Sequence, residues 1–144
     1  MKEPQGTKSN VATTSDFVEL SIPARPELLS LPRMAVAAIA AQRGFDVDEV
    51  EDIRLAIEEL CLAAFEGRGS GRLHIRIAFR GDSLEAQCAF APDDDPTNVT
   101  SPRSELASQL TEQLLNALTD DHGIDLEAGE PRAWFRKRRP SAPT

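Results

Sequence analysis

Tyrosine is absent from this chain of 144 residues, tryptophan occurs once, and cysteine and histidine occur twice each. So little sulfur and imidazole leaves few means of building a zinc centre. Cys61 and Cys88 belong to no Cys-x-x-Cys pair and stand at no zinc-ligand spacing from a histidine. They read as two buried free thiols. No apolar run approaches the roughly 18 residues of a membrane span, and the first stretch, MKEPQGTKSNVATTS, lacks the apolar segment of a secretory signal. A cytoplasmic protein without membrane contact is the expectation. Basic residues are outnumbered, 16 against 24 acidic, for a net charge of -8, which argues against direct nucleic-acid binding because phosphates require a basic face. The one basic run, Arg136, Lys137, Arg138 and Arg139, reads as part of a solvated tail.

What is present sorts into one domain with two tails. Residues 1–15 have no hydrophobic period and are predicted to be disordered, as are residues 138–144, which leaves a domain over 16–137. FVELSIP alternates as a half-buried strand before proline. An alanine-rich helix follows and closes at Gly44; because an interior proline breaks the helical bond pattern, its regular part is expected to begin at Pro32. Asp46 and Glu49 form an acidic capping box for a second helix over 47–66 with the core stripe Val50, Ile53, Ile57, Leu60 and Ala64. RLHIRIAF and SLEAQCAF alternate on either side of Arg80-Gly81-Asp82 and form a hairpin. A Pro- and Asp-rich loop leads to a third helix over 104–119, with Leu106, Leu110, Leu114 and Leu118 as its stripe. GIDLE and RAWFRK, joined around Gly129, are predicted to close the domain as a second hairpin. Strands and helices in this order imply an α+β two-layer sandwich.

In DIRLAIEELCLAAFEGRG a second apolar flank of the middle helix, with Leu55, Ala56, Leu62 and Ala63, carries the lone carboxylate Glu59. A carboxylate among apolar side chains would have a raised pKa, which suits proton transfer. Together with ARPELLSLPR upstream, FDVDEVEDIRLAIEELCLAAF resembles the anti-sigma factor and serine-protein kinase family, a branch of the GHKL or histidine kinase-like ATPases. That resemblance implies a mixed β-sheet covered on one face by helices, with nucleotide held between the helices and a lid. It implies a homodimer that sequesters a sigma factor, an anti-anti-sigma (STAS-domain) protein that competes for the same surface, and phosphorylation of a serine in that competitor. Glu59 falls on the family's general base, and Arg33 on an arginine that contacts both partners.

The rest of the nucleotide site departs from the family. Ala63 stands where the family has the asparagine that anchors Mg²⁺, and a methyl group offers no oxygen to a hard cation. Phe90, Ala91 and Pro92 occupy the place of the Asp-x-Gly-x-Gly stretch that recognises adenine, and Gln109, Leu110, Thr111 and Glu112 replace a phosphate-cradling glycine turn. Glu59 therefore reads as a remnant general base, without catalysis, in a former nucleotide pocket walled by Leu55, Leu62, Ala63 and Phe90. The expectation is a pseudo-ATPase that needs no cofactor and no metal and acts as an anti-sigma regulator. The alternative is an active serine/threonine protein kinase using ATP and Mg²⁺. A third reading is a scaffold for another regulatory protein or a small ligand in the apolar pocket.

Overall fold

A computed structural model describes residues 16–126 and 130–140. The predicted tail over 1–15, the last residues 141–144 and the joint at Gly129 lie outside the described residues.

Strand β1 (Phe17–Pro23) leads through a short 3-10 turn to helix α1 (Ser30–Gln42) and helix α2 (Val47–Phe65). The hairpin β2 (Gly71–Arg80) and β3 (Ser83–Pro92) follows, then α3 (Glu105–Leu118), β4 (Asp121–Asp125) and β5 (Arg132–Arg138). The strands form one sheet in the order β1-β2-β3-β5-β4. Helix α2 lies between α1 and α3 and rests on β3 and β5. The α+β two-layer sandwich is as expected, but every described pairing is antiparallel rather than mixed. The hairpins supply the β2–β3 and β4–β5 pairings, and β1 with β2 and β3 with β5 also run antiparallel, so no parallel crossover is needed.

Periodicity accounts for the core. Ile53, Ile57, Leu60 and Ala64 of α2 are fully buried against Leu73, Ile75 and Ile77 of β2 and Leu84, Cys88 and Phe90 of β3. Each large apolar side chain so buried contributes about 1.5–3 kcal/mol before entropy is counted. The capping box of α2 is complete: Asp46 N–H donates to the Glu49 carboxylate at 2.7 Å and Glu49 N–H to Asp46 at 2.8 Å.

Three sequence expectations are corrected. Helix α1 begins at Ser30, two residues before Pro32, because Pro32 falls in the first turn, where a backbone N–H has no intrahelical acceptor to lose. In α3 the buried residues are Thr111 and Leu115, whereas Leu106 and Leu110 are 65% and 50% exposed. A row of residues spaced by four winds about 40° around a helix at each step, so the leucine row reaches the core only near Leu118. The basic run is strand rather than tail. Arg136 pairs with Asp121 at 3.0 Å, Lys137 Nζ donates to the Leu118 carbonyl at 3.0 Å, and Arg139 Nη1 donates to the Arg43 carbonyl at 2.7 Å. The last two close the carboxyl ends of α3 and α1, where cations are favoured.

Candidate functional site

The carboxyl end of α2 runs into the stretch Gly67-Arg68-Gly69-Ser70-Gly71, and the loop over 93–103 lies across it. Thr100 N–H donates to the Gly67 carbonyl at 3.1 Å, Ser70 N–H to the Thr97 carbonyl at 2.7 Å, and Asp93 N–H to the Ser70 carbonyl at 3.1 Å. Thr97 N–H also donates to the Ser70 hydroxyl at 2.9 Å, and Arg68 and Val99 form a β-bridge. The approach requires glycine. A Cβ on Gly67 would sit 2.5 Å from the Ser101 carbonyl oxygen and one on Gly69 2.7 Å from that of Thr97, and both backbones have positive φ. The loop is thus a strap held by main-chain bonds.

Beneath the strap is a cavity of about 800 Å³ whose lining includes Ala63 of α2, Phe90 of β3, Val99 of the strap, Leu126, Arg68 and Arg103. A smaller lobe of about 240 Å³ shares Ala63 and Arg103 with it and reaches Thr111 and Glu112. Two of the four pocket residues expected from the sequence, Ala63 and Phe90, line the cavity. Leu55 and Leu62 do not: Leu55 is 41% exposed on the outer surface of α2 and Leu62 is half-buried. The turn of the helix separates them, because Ala63 faces α3 and the strap while Leu55 and Leu62 lie about 100° away.

Glu59 is not a lone carboxylate in an apolar flank. The hydroxyl of Thr111 donates to its Oε1 at 3.2 Å, and Arg103 Nη2 donates to the Thr111 oxygen at 2.7 Å. Arg103 Nη1 pairs with Glu66 at 2.5 Å, Nη2 also reaches the Ala107 carbonyl at 3.3 Å, and the side chain is only 12% exposed. Its Nε–H is buried without an acceptor among the described residues. This chain of polar contacts fills the seam between α2 and α3 and takes Glu59 out of the cavity lining.

The residues present do not fit a magnesium nucleotide. Ala63 puts a methyl group on the wall, and Phe90 and Pro92, which the family resemblance sets in place of the adenine acceptor, offer the lining no side-chain acceptor. Glu66, the carboxylate lining the larger lobe among the described residues, is taken up by Arg103. Glu112 in the smaller lobe is paired with His122 Nε2 at 2.9 Å, a partner that spacing alone does not suggest.

Arg33 lies on α1, with Nη1 2.9 Å from Glu58 Oε1 of α2; both side chains are about one-third exposed, 36% and 33%. It is a surface residue fixed by a neighbour and remote from the cavity lining. Arg103 and Arg68 were not singled out from the sequence, and Thr111 was named only among the residues that replace the glycine turn. A polar residue in phase with the buried Leu115 was the available signal for Thr111, but Arg68 and Arg103 lie in loops, where no period marks them.

Five antiparallel strands under three helices form an α+β fold consistent with a histidine kinase-like ATPase domain. Among curated proteins the chain is similar to the serine-protein kinase RsbW of several bacteria. It is 31% identical to that of Bacillus subtilis over 83 residues, 55% of this chain and 52% of the relative, and 29% identical to that of Bacillus velezensis over 87 residues, 58% and 54%. A serine-protein kinase RsbW of Bacillus licheniformis is 26% identical over 130 residues, 80% of this chain and 81% of the relative. The matched segment thus spans about half the length of the first two relatives and about four-fifths of the third. No protein-family model matches the chain. These relatives bear out the resemblance drawn from the middle helix. No described helix is long and apolar enough to cross a membrane.

Proposed function

We propose that the protein is a non-catalytic regulator of the anti-sigma type, which sequesters a sigma factor, as a homodimer, and releases it to an anti-anti-sigma protein with a STAS domain. The observation that carries the non-catalytic part is the Arg103–Thr111–Glu59 chain beside Ala63. It engages the carboxylate that would serve as general base, and Ala63 offers no side-chain oxygen where the family resemblance places the metal's asparagine. The sequestering surface needs none of this chemistry. Arg33 of α1, fixed by Glu58 and one-third exposed, presents guanidinium N–H groups that can pair with a partner's carboxylate.

Two measurements test the reading. Calorimetric titration with Mg·ATP is expected to show no binding in the micromolar range; micromolar affinity would refute the loss of the nucleotide site. Affinity purification of the tagged protein from its own cells, beside Arg33→Glu, is expected to recover a sigma factor with the first and not with the second. Light scattering of the purified protein tests the dimer.

The printed name of the relatives, serine-protein kinase, favours a second reading, an active kinase with a divergent ATP site acting on an anti-anti-sigma protein. Glu59 is present for it. Transfer of labelled phosphate from ATP to a serine of a co-purified partner, lost in Glu59→Gln, would establish that reading and displace the first.

A further inference from the structure

We infer that the strapped cavity binds, without a metal, an organic anion with an apolar body, an aryl or acyl chain ending in a carboxylate or sulfonate. The inference deepens the proposal above and rests on its reading that the site no longer takes Mg·ATP.

Size comes first. At about 800 Å³ the cavity falls within the roughly 300–1,000 Å³ of small-molecule sites, and it is far larger than an inorganic phosphate or sulfate would fill. Its walls come from separate parts of the chain. Ala63 and Phe90 are 4% and 1% exposed, and Leu126 and Pro131 belong to the segments on either side of the last hairpin's joint. Ala63 and Phe90 thus form a closed floor from the folded core, and the apolar surface open to a ligand comes from Pro92, Val99, Pro102 and Leu126.

Charge decides the sign of the ligand. Two guanidinium groups, Arg68 and Arg103, line the larger lobe against one described carboxylate, Glu66, which Arg103 Nη1 already binds at 2.5 Å. Arg68 spends Nη2 on the Leu126 carbonyl at 3.3 Å, a long bond to a neutral acceptor that leaves its charge uncompensated by that contact. Arg103 stands on the wall common to both lobes, and its Nε–H is buried with no described acceptor. That N–H is closed off from the cavity, and the Nη groups of Arg103 are taken up by Glu66, Ala107 and Thr111, so the cation left for a ligand is Arg68. Arg68 beside a partly apolar lining selects a molecule with one charged end and one greasy body.

The competing ligand classes fit less well. A nucleotide triphosphate would bring its metal to the Ala63 methyl and its base to Phe90 and Pro92 without a hydrogen-bonding side chain there. A neutral apolar ligand would leave the Arg68 charge without a counter-charge.

The probe is 8-anilinonaphthalene-1-sulfonate, an aryl sulfonate, titrated by fluorescence into the full chain, with the uncharged N-phenyl-1-naphthylamine beside it. The expected result is one saturable site per chain, at least about tenfold weaker for the neutral probe and for Arg68→Ala, with Arg68→Lys between the two and thermal midpoints unchanged. Absence of a saturable site, or equal affinity of the two probes for the unmodified protein, would overturn the inference; the probe comparison stands even if Arg68→Ala does not fold. Mg·ATP is then added to the bound complex. Displacement at micromolar Mg·ATP would overturn both this inference and the loss of the nucleotide site. Failure of the aryl sulfonate to bind in a protein that also ignores Mg·ATP would overturn this inference alone.

Discussion

Thr111 of α3 donates its hydroxyl hydrogen to the carboxylate of Glu59 on α2, 3.2 Å away, from a position that is 1% exposed. The two residues lie far apart in sequence, and their contact turns the one charged group of an apolar helix flank into a structural bridge. The same hydroxyl oxygen accepts from Arg103. A buried hydroxyl with both roles filled is worth more than its size suggests, because removing it strands groups on each side.

Thr111→Val keeps the shape and removes both bonds. The expected cost is about 1–3 kcal/mol of folding stability, since Glu59 and Arg103 each lose a partner in a half-dry seam. Glu59→Gln retains an acceptor oxygen and is expected to cost less than about 1 kcal/mol. Urea unfolding of the three proteins checks the order. If Glu59→Gln proves the more damaging, the charge itself is what the seam requires.

Arg33→Glu places a carboxylate opposite Glu58 and should leave the domain folded, because the pair it breaks is about one-third exposed and such pairs contribute only about 0–1 kcal/mol. Binding to a sigma-factor partner should fall by about 2 kcal/mol or more if Arg33 is an anchor of that surface. Affinity unchanged alongside a normal thermal midpoint would remove Arg33 from the interface.

Ala63→Asn restores the missing amide at the cavity wall. Mg·ATP binding is nevertheless expected to remain absent, because Phe90 and Pro92 still offer no partner to the base and Gln109, Leu110, Thr111 and Glu112 still stand in place of a phosphate-cradling glycine turn. Calorimetry that shows micromolar affinity in this single variant would mean that only the metal anchor had been lost.

Cys61 and Cys88 are both fully buried, and the Cys61 thiol is held well above the usual thiol range, first by its hydrogen bond with Cys88 and then by burial. The folded chain should be unreactive to a thiol reagent at neutral pH, with both thiols reacting in urea. The sign of the alkaline effect follows. The unfolded thiol loses its proton near pH 8.5, roughly, while the folded one keeps it, so the unfolded state binds fewer protons and stability falls as pH rises above that value. Below it the contribution is fully present. Cys61→Ala should show a shallower alkaline loss; an identical slope would sink this account.

Gly69→Ala tests the strap. Its Cβ would meet the Thr97 carbonyl oxygen at 2.7 Å on a backbone with φ of +88°. A loss of about 1–3 kcal/mol is expected, together with faster proteolysis in the loop over 93–103. Unaltered proteolysis would show that the main-chain bonds hold the strap without this close approach.

Much of the fold was legible because burial has a period. Alternation in RLHIRIAF and SLEAQCAF places Leu73, Ile75, Leu84 and Phe90 in the core as expected, and Asp46 and Glu49 cap α2 as their spacing required. The leucine row of α3 misled because spacing by four drifts around the helix, and the basic run misled because its partners, Asp121 and the ends of α1 and α3, are distant in sequence. At the site, Ala63 and Phe90 were legible from the family resemblance, whereas Leu55 and Leu62 were assigned to a wall that the helix turns away from it.

The sequence by itself determined the element types, the core of the sandwich and the absence of an amide at position 63, since these depend on local period and on residue identity alone. Only the tertiary structure decided that Glu59 is tied through Thr111 to Arg103, that Gly67 and Gly69 let a strap lie across the cavity, and that Arg68 and Arg103 line it together. Those facts join segments brought together by packing, and a hydrogen bond or a cavity depends on positions to within a fraction of an ångström that no spacing along the chain encodes.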